Sequence, residues 1–187
     1  MTHISRRRFS GLLTGATSLI CLPIHAEDFT LQAMEKSVSS DYDIPHLTPA
    51  QLRVLAASSD GKLVLMDVRE VDEFAVSHVP GSNQLDPGIS RRKFRKTYAS
   101  KLKDKHVVFY CSVGVRSSRM ALKVQKDLMS AGALGVYNLS GGIFRLHNEG
   151  QEPLQNAAGQ STTDVHPYNA HWGQLLTRGP KFHRYEP

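Results

Sequence analysis

One stretch of this 187-residue chain constrains its folding more than any other. The apolar run Val107-Val108-Phe109-Tyr110 ends in Cys111-Ser112-Val113-Gly114-Val115-Arg116-Ser117-Ser118. Beyond it, Met120, Ala121, Val124, Leu128 and Ala131 recur every three or four residues, with Lys123, Lys126 and Asp127 on the opposite side. The pattern predicts a buried strand, a tight loop and an amphipathic helix. Cys111 then sits at the carboxyl end of a strand and before the amino end of a helix. Backbone N–H groups that lack intrahelical partners point at its sulfur, as does the positive end of the helix dipole. Both favour a thiolate, so Cys111 is expected to be acidic and nucleophilic.

The rest of the chain repeats the alternation. Thr48 caps a helix that starts at Pro49, and Gln51 completes a capping box. Leu63-Val64-Leu65-Met66 reads as a strand buried on both faces. Val71, Phe74 and Ala75 fall on one side of a short helix, and His78-Val79-Pro80-Gly81-Ser82 reads as a loop. Gly135-Val136-Tyr137-Asn138-Leu139 is a further strand, and Ser140-Gly141-Gly142 turns into a short helix over 143–149. Strands alternating with helices predict an α/β domain with a parallel sheet.

The termini differ in character. Ser5-Arg6-Arg7-Arg8-Phe9 precedes a weakly apolar stretch, Gly11 to Leu22, and then Pro23-Ile24-His25-Ala26. An arginine pair before a modest apolar core resembles a twin-arginine export signal. The stretch is short for a membrane span, so 1–26 is expected to be removed near Ala26, leaving a periplasmic protein without a stable membrane span. The alternative is an uncleaved N-terminal membrane anchor. Residues 27–43 read as a polar, loosely packed lead-in, 44–150 as the domain, and 151–187 as a polar extension. In the extension Trp172, Leu175 and Leu176 are expected to dock while the remainder stays mobile.

Charge and cysteine count narrow the chemistry. The formal charge is +6, but Arg6, Arg7 and Arg8 belong to the expected signal; past position 26 stand 20 basic and 17 acidic residues, a net +3. That balance does not point to nucleic acid. The run Arg91-Arg92-Lys93-Phe94-Arg95-Lys96 reads as a solvated helix face, with attraction of anionic donors as the alternative. Once Cys21 leaves with the signal, Cys111 is the remaining cysteine. A lone thiol in an oxidising compartment is a liability unless it is buried or used.

At this point the motifs resemble the single-domain form of the rhodanese family. Asp67-Val68-Arg69-Glu70, Glu73-Phe74 and His78-Val79-Pro80-Gly81-Ser82 are similar to its D-V-R-x-x-x-E-F-x-x-x-H-x-P-G-[SA] stretch. Cys111 to Arg116 resembles its C-x-x-G-x-R active loop, and Leu139-Ser140-Gly141-Gly142 its L-x-G-G turn. The resemblance implies about five parallel strands flanked by helices on both faces. It also implies a sulfurtransferase in which Cys111 takes a sulfane sulfur from a small anionic donor such as thiosulfate. The resulting persulfide passes the sulfur to cyanide or a thiol, a protein thiol included. Residue chemistry agrees, since a covalent intermediate divides one transfer into two easier ones. Ser112, Val113, Gly114, Val115 and Arg116 are the expected persulfide-binding loop, with backbone amides forming an anion nest and Arg116 a fixed charge. Gly114 lets the loop curl closely. Asp67, Arg69 and Ser117 are expected to support the loop rather than react.

Two other function classes remain. A cysteine phosphatase or arsenate reductase uses a similar loop with five residues between Cys and Arg, whereas four separate Cys111 from Arg116. A sulfur-carrier or binding module would load the sulfur and deliver it without broad turnover. No cofactor is called for. His166, His171 and His183 lack thiolate partners and are not expected to bind metal.

Overall fold

The computed structural model describes residues 29–150 and 153–178. The elements in chain order are α1 (Leu31–Asp41), β1 (His46–Leu47), α2 (Pro49–Ser58), β2 (Leu63–Asp67), α3 (Val71–Val76), β3 (Asn83–Gln84) and α4 (Arg91–Tyr98). They continue with β4 (His106–Tyr110), α5 (Val115–Ser130), β5 (Gly135–Leu139), α6 (Gly142–Glu149), β6 (Leu154–Gln155), β7 (Ser161–Thr162) and a 3₁₀ turn, Trp172–Leu175. β1 to β5 form a five-stranded sheet in the order β1-β5-β4-β2-β3, and every pairing is parallel. β4 is central, its Val108 beside Leu65 of β2 and Tyr137 of β5.

The alternation of side chains along β4 sorts the core into two layers. Val107 and Phe109 pack with Phe94 of α4 and with Met120, Ala121, Val124 and Leu128 of α5. Val108 and Tyr110 pack with Leu31 of α1, Leu52 of α2 and Ile143, Phe144 and Leu146 of α6. Both faces of the sheet are therefore covered, and each large apolar side chain removed from water contributes about 1.5–3 kcal/mol. In α4 only Phe94 is buried, so the basic residues around it form a helix surface; Arg91 pairs there with Asp127 at 2.7 Å.

Three regions differ from expectation. Residues 31–41 are not a loose lead-in but a helix, capped by Thr30, whose Oγ1 accepts from the Ala33 N–H at 3.1 Å. Leu31 and Val38 are buried and Glu35 pairs with Arg145 Nε at 2.7 Å. Its apolar side is narrow, and the polar residues around it mask the period. The edge strands β1 and β3 have two residues each, too few to show alternation. The extension docks more widely than Trp172, Leu175 and Leu176: Leu154, Val165, His166 and Leu175 are buried, and β6 pairs antiparallel with β7. Residues 1–26, including the arginine pair and Cys21, lie outside the described part. Among the described residues no helix is long and apolar enough to cross a membrane.

Candidate active site

Cys111 directly follows β4 and is 1% exposed. The chain then turns back so that the N–H of Gly114 donates to Cys111 Sγ at 3.2 Å. Gly114 makes that turn at φ 104°, a backbone region unfavourable for any residue with a side chain. A Cβ there would also stand 3.3 Å from Asn138 Nδ2. α5 begins at the next residue, so the first amides of a four-turn helix, which lack intrahelical acceptors, follow directly on the one that meets the sulfur.

A second helix braces the loop from behind. The N–H of Ile143 donates to the Cys111 carbonyl at 2.9 Å and that of Phe144 to the Ser112 carbonyl at 3.1 Å. The approach requires Gly142, at φ 53°, because a Cβ would lie 2.2 Å from the Cys111 carbonyl oxygen. The Leu139-Ser140-Gly141-Gly142 turn thus lets the start of α6 satisfy the Cys111 and Ser112 carbonyls.

Arg116 is held by a residue to which the sequence analysis assigned no role. Its Nη1 donates to Glu73 Oε2 at 2.6 Å and its Nη2 to Glu73 Oε1 at 2.8 Å. Nη2 also reaches Ser112 Oγ at 3.0 Å, and Ser112 Oγ donates to Glu73 Oε1 at 3.1 Å. Burial pushes the Glu73 carboxyl upward, but the Arg116 hydrogen bonds and charge override it and hold the group below its ordinary value. Burial likewise opposes the charge on Arg116, yet Glu73 and the neighbouring Cys111 sulfur raise its pKa further. The only advance sign of Glu73 was its place in the Glu73-Phe74 motif.

Ser117 lies on the other side of the thiol. Its Oγ is 3.4 Å from Cys111 Sγ and donates to Asn138 Oδ1 at 2.6 Å. Asn138 Nδ2 in turn meets His46 Nδ1 at 3.1 Å. Asn138 also escaped the sequence reading, because a polar residue inside an apolar strand shows its partner only in three dimensions.

Asp67 and Arg69 are fully buried and face each other, with Arg69 Nε 2.9 Å from Asp67 Oδ1 and Nη2 2.6 Å from Oδ2. Arg69 Nη2 also donates to the Ser77 carbonyl at 2.6 Å. Their bonds brace the ends of β2 and α3, the element that carries Glu73, rather than touching the thiol. Tyr110 closes the same region: its hydroxyl receives the Val79 N–H at 3.1 Å and meets Ser82 Oγ at 2.8 Å. His78 stacks on Phe74, with ring centroids 3.8 Å apart, and its Nδ1 lies 2.9 Å from the Phe74 carbonyl oxygen.

The extension also reaches this site. The Tyr168 ring lies over the Arg116 guanidinium, 5.0 Å from its carbon to the ring centre. Burial holds His166 below its ordinary range, although Glu73 and Asp72 pull the other way. His171 stacks on Phe29. Among the described residues no group of three His, Cys, Asp or Glu side chains is placed to hold a metal ion.

The chain is similar to known proteins in sequence and fold. The family model described as the Rhodanese-like domain matches residues 50–149. "Uncharacterized protein YqhL" of Bacillus subtilis (strain 168) is 38% identical over 82 residues, 44% of this chain; the match spans 59% of YqhL. The thiosulfate:glutathione sulfurtransferase of Homo sapiens is 31% identical over 107 residues, 52% of this chain and 88% of that protein. Among solved structures, the As-Sb reductase from Leishmania major is similar with a TM-score of 0.52 at 18% identity, over 64% of this chain and 92% of that one. At that identity the likeness speaks for the fold alone. The central parallel sheet, the Cys111 loop at its carboxyl edge and the family match over more than half of the chain lead to one assignment: this protein is a member of the Rhodanese-like domain family.

Proposed function

We propose that the protein is a sulfurtransferase that moves a sulfane sulfur through a persulfide on Cys111. The observation that carries this reading is the Gly114 N–H on Cys111 Sγ at 3.2 Å, at the mouth of α5, within a loop whose Arg116 is clamped by Glu73. The thiol gives its proton to solvent, and the thiolate attacks the outer sulfur of thiosulfate. The S–S bond of the donor breaks and sulfite leaves with its electron pair. The outer sulfur of the new Cys111 persulfide is a single anionic atom, suited to a loop that already turns the Gly114 N–H onto the sulfur at the start of α5. Cyanide carbon or a thiolate then attacks that outer sulfur. The persulfide S–S bond breaks, thiocyanate or a new persulfide departs, and the Cys111 thiolate is restored.

Arg116 acts here mainly through shape. Glu73 accepts from both terminal nitrogens of Arg116, which fixes the guanidinium and its remaining N–H donors beside the Cys111 sulfur. The four residues between Cys111 and Arg116, against five in the phosphatase or arsenate reductase loop, count against that reading. The test is the mass of the protein before and after thiosulfate: gain of one sulfur on Cys111, with release of sulfite, is the expected result.

We also propose that the mature protein works outside the cytoplasm, delivered by the twin-arginine route. Arg6-Arg7 before a modest apolar core supports this.

A further inference from the structure

We propose that Tyr168 of the C-terminal extension is a specificity-determining residue of the Cys111 site, a wall that admits slim sulfur donors and acceptors and turns away bulky ones. The chemistry of those compounds rests on the sulfurtransferase reading; control of access to the thiol stands apart from it.

Glu73 occupies the edge of the Arg116 guanidinium, and the Tyr168 ring covers its face at 5.0 Å. An aromatic face over a guanidinium is an attractive contact that fixes both groups. Cys111 is 1% exposed whereas Tyr168 is 50% exposed. The ring therefore has one side on the guanidinium that neighbours the Cys111 sulfur and the other in solvent.

The backbone shows that this position is imposed. Tyr168 has φ 67°, a left-handed conformation that a bulky residue rarely adopts. Such strain persists only where the surroundings over-determine it, and it concentrates at functional sites. The surroundings are visible on both sides. Val165 and His166 are buried just before it, and the Tyr168 N–H donates to His166 Nδ1 at 3.0 Å. Just after it, the Asn169 N–H donates to the Pro167 carbonyl at 2.8 Å and Asn169 Oδ1 caps the Trp172 N–H at 3.0 Å. Leu175 then enters the core. Two anchors thus hold one strained aromatic residue on Arg116. A strap serving only to cover apolar surface would not need that ring there. The substrates implied are low-molecular-weight: thiosulfate and cyanide pass, while a folded protein acceptor does not.

The test compares the mature chain with Tyr168→Gly and Tyr168→Phe variants. Glycine suits the left-handed backbone, so the first variant removes the ring and relieves strain together; the second keeps the ring. Cys111 is alkylated with iodoacetamide and, separately, with fluorescein maleimide, and the modified residue is located by peptide mass. Tyr168→Gly is expected to raise the maleimide rate by about tenfold or more relative to the iodoacetamide rate, the discrimination a wall of this kind supplies. Tyr168→Phe, which keeps the ring, is expected to keep the natural ratio of the two alkylation rates. With cyanide and glutathione as acceptors, the glycine variant should shift kcat/KM toward glutathione. Equal changes for both alkylating reagents, or none, would overturn the proposal. Persulfide formation with an unchanged alkylation ratio would remove Tyr168 alone; a changed ratio without persulfide would instead remove the sulfurtransferase reading.

Discussion

Glu73 of α3 grips both terminal nitrogens of Arg116, 43 residues further along the chain, at 2.6 and 2.8 Å. The pair is largely buried, with Glu73 2% and Arg116 24% exposed, and charge-assisted bidentate contacts of this kind fix geometry as well as energy. It ties the Cys111 loop to the segment braced by Asp67 and Arg69. The conformation of the loop therefore depends on residues that never touch the sulfur.

Replacing Glu73 by Gln removes the counter-charge and leaves Arg116 partly buried. The expected loss is about 2–3 kcal/mol of stability at neutral pH, read as a lower urea midpoint with unchanged slope. The sign with pH follows from linkage. Arg116 holds the folded Glu73 below its ordinary value of 4.5, against the upward push of burial. The unfolded chain therefore binds the proton first, and the stability that is fully present above 4.5 drains away as pH falls through the folded value. The gap between natural and Glu73→Gln midpoints should shrink from pH 7 to pH 4. A constant gap would mean that ionisation of Glu73 is not what stabilises the loop.

Arg116→Lys keeps a charge and loses the fork. A lysine cannot bond both carboxylate oxygens in that plane, so the loop loses its clamp. Sulfur loading should slow by about one to two decades, the equivalent of about 1.5–3 kcal/mol. Stopped-flow loading rates with thiosulfate check this, and full activity in the lysine variant would show that charge alone suffices.

Gly142→Ala places a methyl where the Cys111 carbonyl oxygen already stands, 2.2 Å away. Either α6 withdraws or the loop shifts, at a cost of about 1–3 kcal/mol. Both the unfolding midpoint and the loading rate should fall. An unaltered loading rate in a destabilised protein would show that the rear brace supports the fold without shaping the site.

Arg6 and Arg7 replaced by lysines should leave precursor in the cytoplasm, as cell fractionation would show. Mature protein appearing outside the cytoplasm at normal levels would contradict the twin-arginine assignment.

Legibility in the sequence followed the range of the interactions. The β4–loop–α5 unit is contiguous, so its apolar run, its glycine and its helical period all sit in one window around Cys111. The short edge strands β1 and β3 owe their existence to β5 and β2 beside them, which no two-residue window can reveal. The helix α1 was hidden because Glu35, Lys36, Ser37, Ser39 and Ser40 outweigh Leu31 and Val38 in composition. In the site, Ser117 and Arg116 lie within one helical turn of the loop and were read as its companions. Glu73, Asn138 and Tyr168 reach it from α3, β5 and the extension. Their roles arise from tertiary packing, which local period and motif spacing do not encode.

The most direct test is the mass of Cys111 itself. Purified mature protein mixed with thiosulfate should gain one sulfur atom, mapped to Cys111, with release of one sulfite. Adding cyanide should return the original mass and yield thiocyanate. Cys111→Ser, nearly the same size and far less nucleophilic, should stay folded and gain nothing. Equal sulfur gain in the serine variant, or steady hydrolysis of aryl phosphates by the natural protein with no persulfide detectable, would contradict the assignment of Cys111 as the carrier of the transferred sulfur.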